Sequence, residues 1–325
     1  MSVLHSVAGT AKENTDLPNS LRNIRVISDG RPGHENQSTG LALALARRTG
    51  AQVETVRLPV PGWVWSRVRA AVAVASSGPI PDLVIGAGHK THLPLWYAAR
   101  KFQARSVVIM KPTWPSSMFD ICVLPRHDSA PGPRLPRFIV TRGALNRIPE
   151  ETPPKQPRGL LMIGGPSRYH GWNPDALIEA VRTVTQSRPE LEWTLGDSRR
   201  TPRKFLESLA SLGLAAKLVP HAQTKPDWLP TRLLEAEEVW VTADSVSMVF
   251  EAVTSGARTG LLPTPIKRPN ASPPRAVAEL VRGKLATPFE TWLNDGRRLP
   301  TPERMHETGR CADFILDRLF PRNVS

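Results

Sequence analysis

Apolar positions along this chain fall into two alternating patterns. Short β-rich runs at Ile24–Ser28, Val53–Leu58, Asp82–Gly86, Ser106–Met110, Ile121–Leu124 and Phe138–Thr141 predict strands. Between them, apolar residues recur at helical spacing through Leu41, Leu43 and Leu45, near Trp63–Ser76 and over Leu93–Phe102. The pattern stops at Asn146–Arg158, where four prolines lie among polar residues. It then restarts. Strands are predicted at Gly159–Ile163, Leu191–Leu195, Lys217–Val219, Glu238–Thr242 and Thr259–Leu262. Helices are predicted at Pro174–Ser187, Arg203–Leu212, Pro230–Ala236, Ser245–Ser255, Pro274–Val281 and Pro302–Leu319. Strands alternating with helices imply parallel sheets covered on both faces. The expected fold class is α/β, with two doubly wound Rossmann-like domains facing each other across a cleft. The expected division is a flexible tail over 1–20, an N-terminal domain over 21–147, a linker over 148–158 and a C-terminal domain over 159–325.

Open parallel sheets bind ligands beyond the carboxyl ends of their strands, so the loops there carry the candidate chemistry. The first, after Ser28, reads DGRPGHENQ and holds Asp29, Gly33, His34, Asn36 and Gln37. Asp29 and His34 suit proton transfer, and the glycines suit close backbone approach. The second, GAGHKTH, places His89, Lys90 and His92 after a strand but lacks P-loop spacing. The third carries Gly164, Gly165 and Ser167, whose amides are candidates for a diphosphate. The fourth offers Arg199 and Arg200 as bidentate phosphate donors. In the fifth, Asp244, Ser245 and Ser247 crowd a helix start, with Glu251 one turn on. A carboxylate inside an apolar helix beside a cleft can accept hydrogen bonds from two sugar hydroxyls.

Charge adds a direction. The 325 residues carry a net charge of +14. Residues 1–150 hold 19 Lys and Arg against 9 Asp and Glu, whereas the remainder holds 24 against 20. An anionic partner is expected to face the first half. Two distant cysteines make neither a disulfide framework nor a metal motif. No apolar run is long enough to span a bilayer, and the N-terminus lacks the pattern of a secretory signal. A cytoplasmic protein is therefore expected, peripheral on the inner face of the membrane. The segment Trp63–Ala75, rich in Trp, Val and Arg, is a candidate helix for dipping into an anionic leaflet. Nucleic-acid motifs are absent, so no specific nucleic-acid partner is expected.

The segments DGRPGHENQ (29–37), FDICVLPRHD (119–128), VTRGALNRI (140–148), SRRTP (198–202) and TADSVSMVFEA (242–252) together resemble the ELM-type family, named after the plant "elongated mitochondria" fission protein and with many bacterial members. This family is similar in layout to GT-B glycosyltransferases. The resemblance implies a C-terminal domain that takes a nucleotide-sugar donor. Gly164, Gly165, Ser167, Arg199, Arg200, Asp244, Ser245 and Ser247 would lie around its diphosphate, and Glu251 at the ribose. The N-terminal domain would take the acceptor, lipid-linked or an envelope glycan, through Gly33, Asn36, Gln37, His89 and Lys90. Asp29 or His34 would act as base, and the last helix would cross back to the first domain. No Asp-x-Asp and no zinc spacing occur, so a metal-independent transfer with no cofactor beyond the co-substrate is expected. The competing expectation is a non-catalytic scaffold of the same shape.

Overall fold

The computed structural model describes residues 20–59, 79–126, 136–213, 216–225, 227–301 and 303–321. The helix predicted at Trp63–Ser76, the leaflet segment inside it and nearly all of the predicted tail lie outside these residues.

The first domain is a six-stranded sheet of β1 (Asn23–Ser28), β2 (Gln52–Arg57), β3 (Leu83–Ala87), β4 (Arg105–Ile109), β5 (Ile121–Pro125) and β6 (Phe138–Thr141). Every pairing is parallel, in the order β2-β1-β3-β4-β5-β6. Successive side chains leave opposite faces, which is why the inner strands are mostly apolar, whereas the edge strand β2 carries Gln52, Glu54 and Arg57. Val26, Ile85, Val107 and Val123 enter one core, while Ile27, Val84, Val108 and Cys122 enter the other. Helix α1 (Pro32–Thr49) covers the first face. It starts with proline in its first turn and stops at Gly50, whose left-handed φ of 75° lets its N–H close on Ala46. Helix α2 (His92–Phe102) packs on β3 and β4.

The second sheet comprises β7 (Gln156–Met162), β8 (Glu192–Gly196), β9 (Ala216–Val219), β10 (Ala236–Thr242), β11 (Arg258–Leu262) and β12 (Thr287–Pro288). Their order is β12-β11-β10-β7-β8-β9, again parallel. Its helices are α3 (Pro174–Ser187), α4 (Arg203–Ser211), α5 (Trp228–Glu235), α6 (Val246–Thr254), α7 (Ser272–Arg282) and α8 (Phe289–Asn294). Asn173 caps α3 by accepting the Ala176 N–H at 3.2 Å. The short β12 and α8 are additions to the expected pattern. Trp292 of α8 stacks edge-on against Trp240 of β10, centroids 4.9 Å apart.

The linker expected at 148–158 is in part a structural element. Ile148 is buried in the second core, and β7 already begins at Gln156. Pro157 is tolerated because the β7–β10 register shifts between Ala236 and Glu238, leaving an extra residue on β7. The Lys155 ammonium donates to the carbonyls of Leu233, Leu234 and Ser255, and burial lowers its pKa to about 8.

The last helix, α9 (Glu307–Leu319), packs along α1 and adds Cys311, Ala312 and Ile315 to the first core. It starts at Glu307, several residues later than the expected Pro302. Asn146 stands where the two domains and α9 meet. Its side-chain amide donates to Thr254 Oγ1 at 2.9 Å, and its carbonyl accepts from Thr308 Oγ1 at 3.2 Å. Among the described residues, no helix is long and apolar enough to cross a membrane.

Candidate functional site

Strands β1 and β2 of the first sheet and β8 and β10 of the second end toward a cleft of about 890 Å³. Its wall includes Gly30, Gly33 and Asn36 from the first domain and Ser198, Arg199, Arg200, Ser245, Ser247 and Glu251 from the second. Two helix N-termini meet here. A Cβ on Gly33, in the first turn of α1, would lie 3.5 Å from the Ser247 hydroxyl in the first turn of α6. Neither helix has a side-chain cap, although Ser245 stands at the N-cap position of α6. First-turn amides and the helix dipoles therefore present positive potential to one spot.

Glu251 is the buried charge of the cleft. It is 7% exposed on a helix whose other residues from Met248 to Thr254 are also buried. Asn36 reaches across from α1 and donates to Glu251 Oε1 at 2.7 Å. Arg147 donates to Asn36 Oδ1 at 3.1 Å, fixing the amide's orientation. Desolvation raises the Glu251 pKa to about 7, against the lowering pull of the Asn36 hydrogen bond and the Arg147 charge. Arg147 was not a candidate from sequence. It lies 111 positions from Asn36 and only the domain junction brings them together. Glu35 also lines the wall, held below the ordinary carboxylate range first by its hydrogen bond from Arg57 and also by one from Ser28.

Other predicted residues take different places. Asp29 and His34 are hydrogen-bonded at 3.0 Å, with the Asp29 side chain 1% exposed. They stand behind the cleft lining, and the His34 ring packs on Gly88, whose φ of 82° and missing Cβ make room for it. Gln37 is buried and donates to the Gly33 carbonyl within α1. His89 and Lys90 form a 3-10 turn outside the cleft wall. The neighbouring His92 is a core residue between Trp114 and Phe119, its pKa pushed down to about 4 by burial.

The glycine loop is hydrogen-bonded internally. The Gly164 N–H donates to Thr242 Oγ1 at 2.7 Å and the Gly165 N–H to Asp244 at 3.1 Å, so both donors are occupied. Gly165 is glycine for space: a Cβ would sit 2.1 Å from the Arg200 carbonyl oxygen. Ser167 caps a turn by accepting the N–H groups of Tyr169 and His170. The Asp244 side chain is 1% exposed and pairs with Arg200 at 2.7 Å, so this pair ties three loops together at the edge of the cleft wall; among the described residues, Arg199 of the same loop forms no ion pair. Removing Arg200 strands a buried carboxylate. Arg200→Ala is expected to destabilise the chain by about 2 kcal/mol, a value reduced from the buried-pair range because Arg200 is 42% exposed. Adding Asp244→Asn should recover most of that loss in urea denaturation. An additive double variant would sink this assignment. An Asp–His pair that sequence reading missed, Asp197 with His221 at 2.9 Å, follows β8 and β9.

Residues 32–319 match the family model described as Mitochondrial fission ELM1. The chain belongs to that family. An ELM1-family chain was expected from the loop segments, and the match covers all of them but the first three residues of DGRPGHENQ. A relative of this ELM1-family chain, protein RP120 of Rickettsia prowazekii (strain Madrid E), is 24% identical over 291 residues, covering 72% of this chain and 81% of the relative. Among solved structures, the S. aureus MnaA–UDP complex superposes with a TM-score of 0.53 at 14% identity, covering 93% of this chain and 98% of that one. UDP-GlcNAc 2-epimerase from Neisseria meningitidis, bound to UDP-GlcNAc, gives 0.51 at 14% identity, with coverage of 93% and 100%. Acinetobacter baumannii MurG gives 0.50 at 14% identity, with coverage of 91% and 99%. These likenesses establish the fold of the ELM1-family chain as two Rossmann-like domains in the GT-B arrangement.

Proposed function

We propose that the cleft binds a nucleotide-sugar and transfers its sugar to a hydroxyl acceptor without a metal. The observation that carries this reading is Glu251, a buried carboxylate beside two uncapped helix N-termini and Arg199. Vicinal ribose hydroxyls match its two oxygens and would replace the Asn36 amide on it. The diphosphate would then lie at the first-turn amides of α6, with Arg199 neutralising charge as it leaves. His34 takes the acceptor proton, oriented by Asp29 at Nδ1, as the acceptor oxygen bonds to the sugar carbon and the nucleoside diphosphate departs. His34 stands behind the lining, so the first-domain loop must shift when the acceptor enters. A lipid-linked or envelope acceptor, reached from the cytoplasmic face, is supported by the basic excess of residues 1–150.

The test is thermal stabilisation across nucleoside diphosphates and nucleotide-sugars. A ligand at a hundredfold its Kd should add about 2.7 kcal/mol. The shift should be strong for one nucleotide and vanish in Arg199→Ala. A flat response across the whole panel, with folded protein, would reject the donor site and leave a binding scaffold as the better reading.

A further inference from the structure

The first sheet has a second cavity, of about 790 Å³, at the amino ends of β4, β5 and β6. The cleft lies at the opposite edge of this parallel sheet, beyond the carboxyl ends of β1 and β2. Four arginines from four parts of the chain line the cavity: Arg100 of α2, Arg105 at the start of β4, Arg137 just before β6, and Arg318 of α9. Arg105 is paired with Asp120 at 3.3 Å, and the other oxygen of Asp120 is taken by the Ser106 amide and hydroxyl. Among the described residues, Arg100, Arg137 and Arg318 form no ion pair. Arg100 lies over the ring of Trp96, which also lines the cavity, 5.7 Å from its centroid; among the described residues, the buried Trp96 Nε1 has no hydrogen-bond partner.

Several arginines elsewhere are matched by carboxylates, as Arg25 is by Glu54, Arg48 by Glu150 and Asp313, and Arg158 by Glu235, whereas this cavity gathers three without such a partner. Three unmatched guanidinium groups brought together by tertiary structure repel one another. A multiply charged anion removes that repulsion, and planar guanidinium forks pair bidentately with phosphate oxygens. The cavity volume falls in the range of small-molecule sites, roughly 300–1,000 Å³.

We propose that this cavity is a second anion site, which takes a phosphate-bearing group through Arg100, Arg137 and Arg318. The group is either a soluble diphosphate or the head group of an anionic lipid. The site is separate from the cleft and does not rest on the reading of the cleft.

Two arms at about 0.15 M salt, where long-range attraction is screened, distinguish the sources. One titrates pyrophosphate and follows tryptophan fluorescence, with Trp96→Phe assigning the signal to the cavity. The other floats the protein with vesicles of phosphatidylglycerol and phosphatidylcholine, or of phosphatidylcholine alone. Each arm compares wild type, R100A/R137A/R318A, and the charge-matched R203A/R275A/R282A from the second domain. A loss of at least tenfold confined to the cavity variant supports the site. Loss in the pyrophosphate arm assigns a soluble diphosphate, and loss only in the vesicle arm assigns a lipid head group. Arg137→Gln, expected to weaken binding several-fold, covers the case where the triple variant does not fold. No binding in either arm, equal loss in both triple variants, or a titration unchanged in the cavity variants would overturn the proposal.

Discussion

Glu251→Gln is expected to stabilise the folded chain above pH 7 and at the same time to weaken nucleotide binding by roughly 10–100-fold. The first effect follows from desolvation, which raises the Glu251 pKa from 4.5 to about 7. Between those values the folded chain keeps a proton that the unfolded chain has lost. Stability therefore falls as pH rises across this window, by about 3 kcal/mol in all at about 1.4 kcal/mol per pH unit. Glutamine has no such titration. The difference between variant and wild type should be near zero at pH 4.5 and approach its full size at pH 8. The second effect follows from chemistry that glutamine lacks. Its amide offers one acceptor oxygen and no charge, whereas a carboxylate offers two, and a hydrogen bond to a charged group contributes roughly 1.5–3 kcal/mol. Wild-type affinity should also rise from pH 6 to 8 as the site ionises, with the variant flat. Denaturant melts and nucleotide titrations at both ends of the range check these signs. Parallel melts at pH 5 and 8 would refute the buried-proton account. A variant that binds nucleotide as wild type does would remove Glu251 from the site.

Gly40→Ala is expected to destabilise the chain by about 3 kcal/mol, against the local preference of a helix. In a helix interior, alanine is favoured over glycine by about 1 kcal/mol. At this place in α1, however, a Cβ would sit 2.2 Å from the Asn146 carbonyl oxygen and 2.5 Å from its carbon. Those are backbone atoms of the domain connection. Asn146 is held by Thr254, Thr308 and the Ile148 amide, so the connection cannot yield without losing buried hydrogen bonds. Arg147 would move with it and release Asn36. A lower urea midpoint should thus come with altered nucleotide affinity. An unchanged or raised midpoint would show that the junction gives way easily.

The alternation of strands and helices was legible because strands covered on both faces must be apolar along their length. Most of the strand-end loops were legible for the same topological reason, and Glu251 stood out as a carboxylate in an apolar helix. What sequence could not supply was pairing at a distance. Gly164 and Gly165 read as phosphate-binding glycines, and only the fold shows Thr242 and Asp244 occupying their amides. Arg147 is an ordinary arginine until the domain junction sets it against Asn36. Pro157 reads as a linker residue because the bulge that tolerates it depends on the register with β10. His89 shares a strand-end loop with His92, yet the 3-10 turn leaves one exposed while the other is buried.

The crossing of α9 has a consequence for how the molecule is made. Cys311, Ala312 and Ile315 belong to the core built around Val26 and Leu41, nearly three hundred positions earlier. During synthesis, the first domain lacks one wall until α9 has left the ribosome, after the whole second domain. The second domain has no such dependence, since its cores are drawn from Ile148 through Met305. The part translated first is thus the part completed last, and a nascent chain must hold the exposed flank of α1 against its own neighbours or a chaperone until α9 arrives.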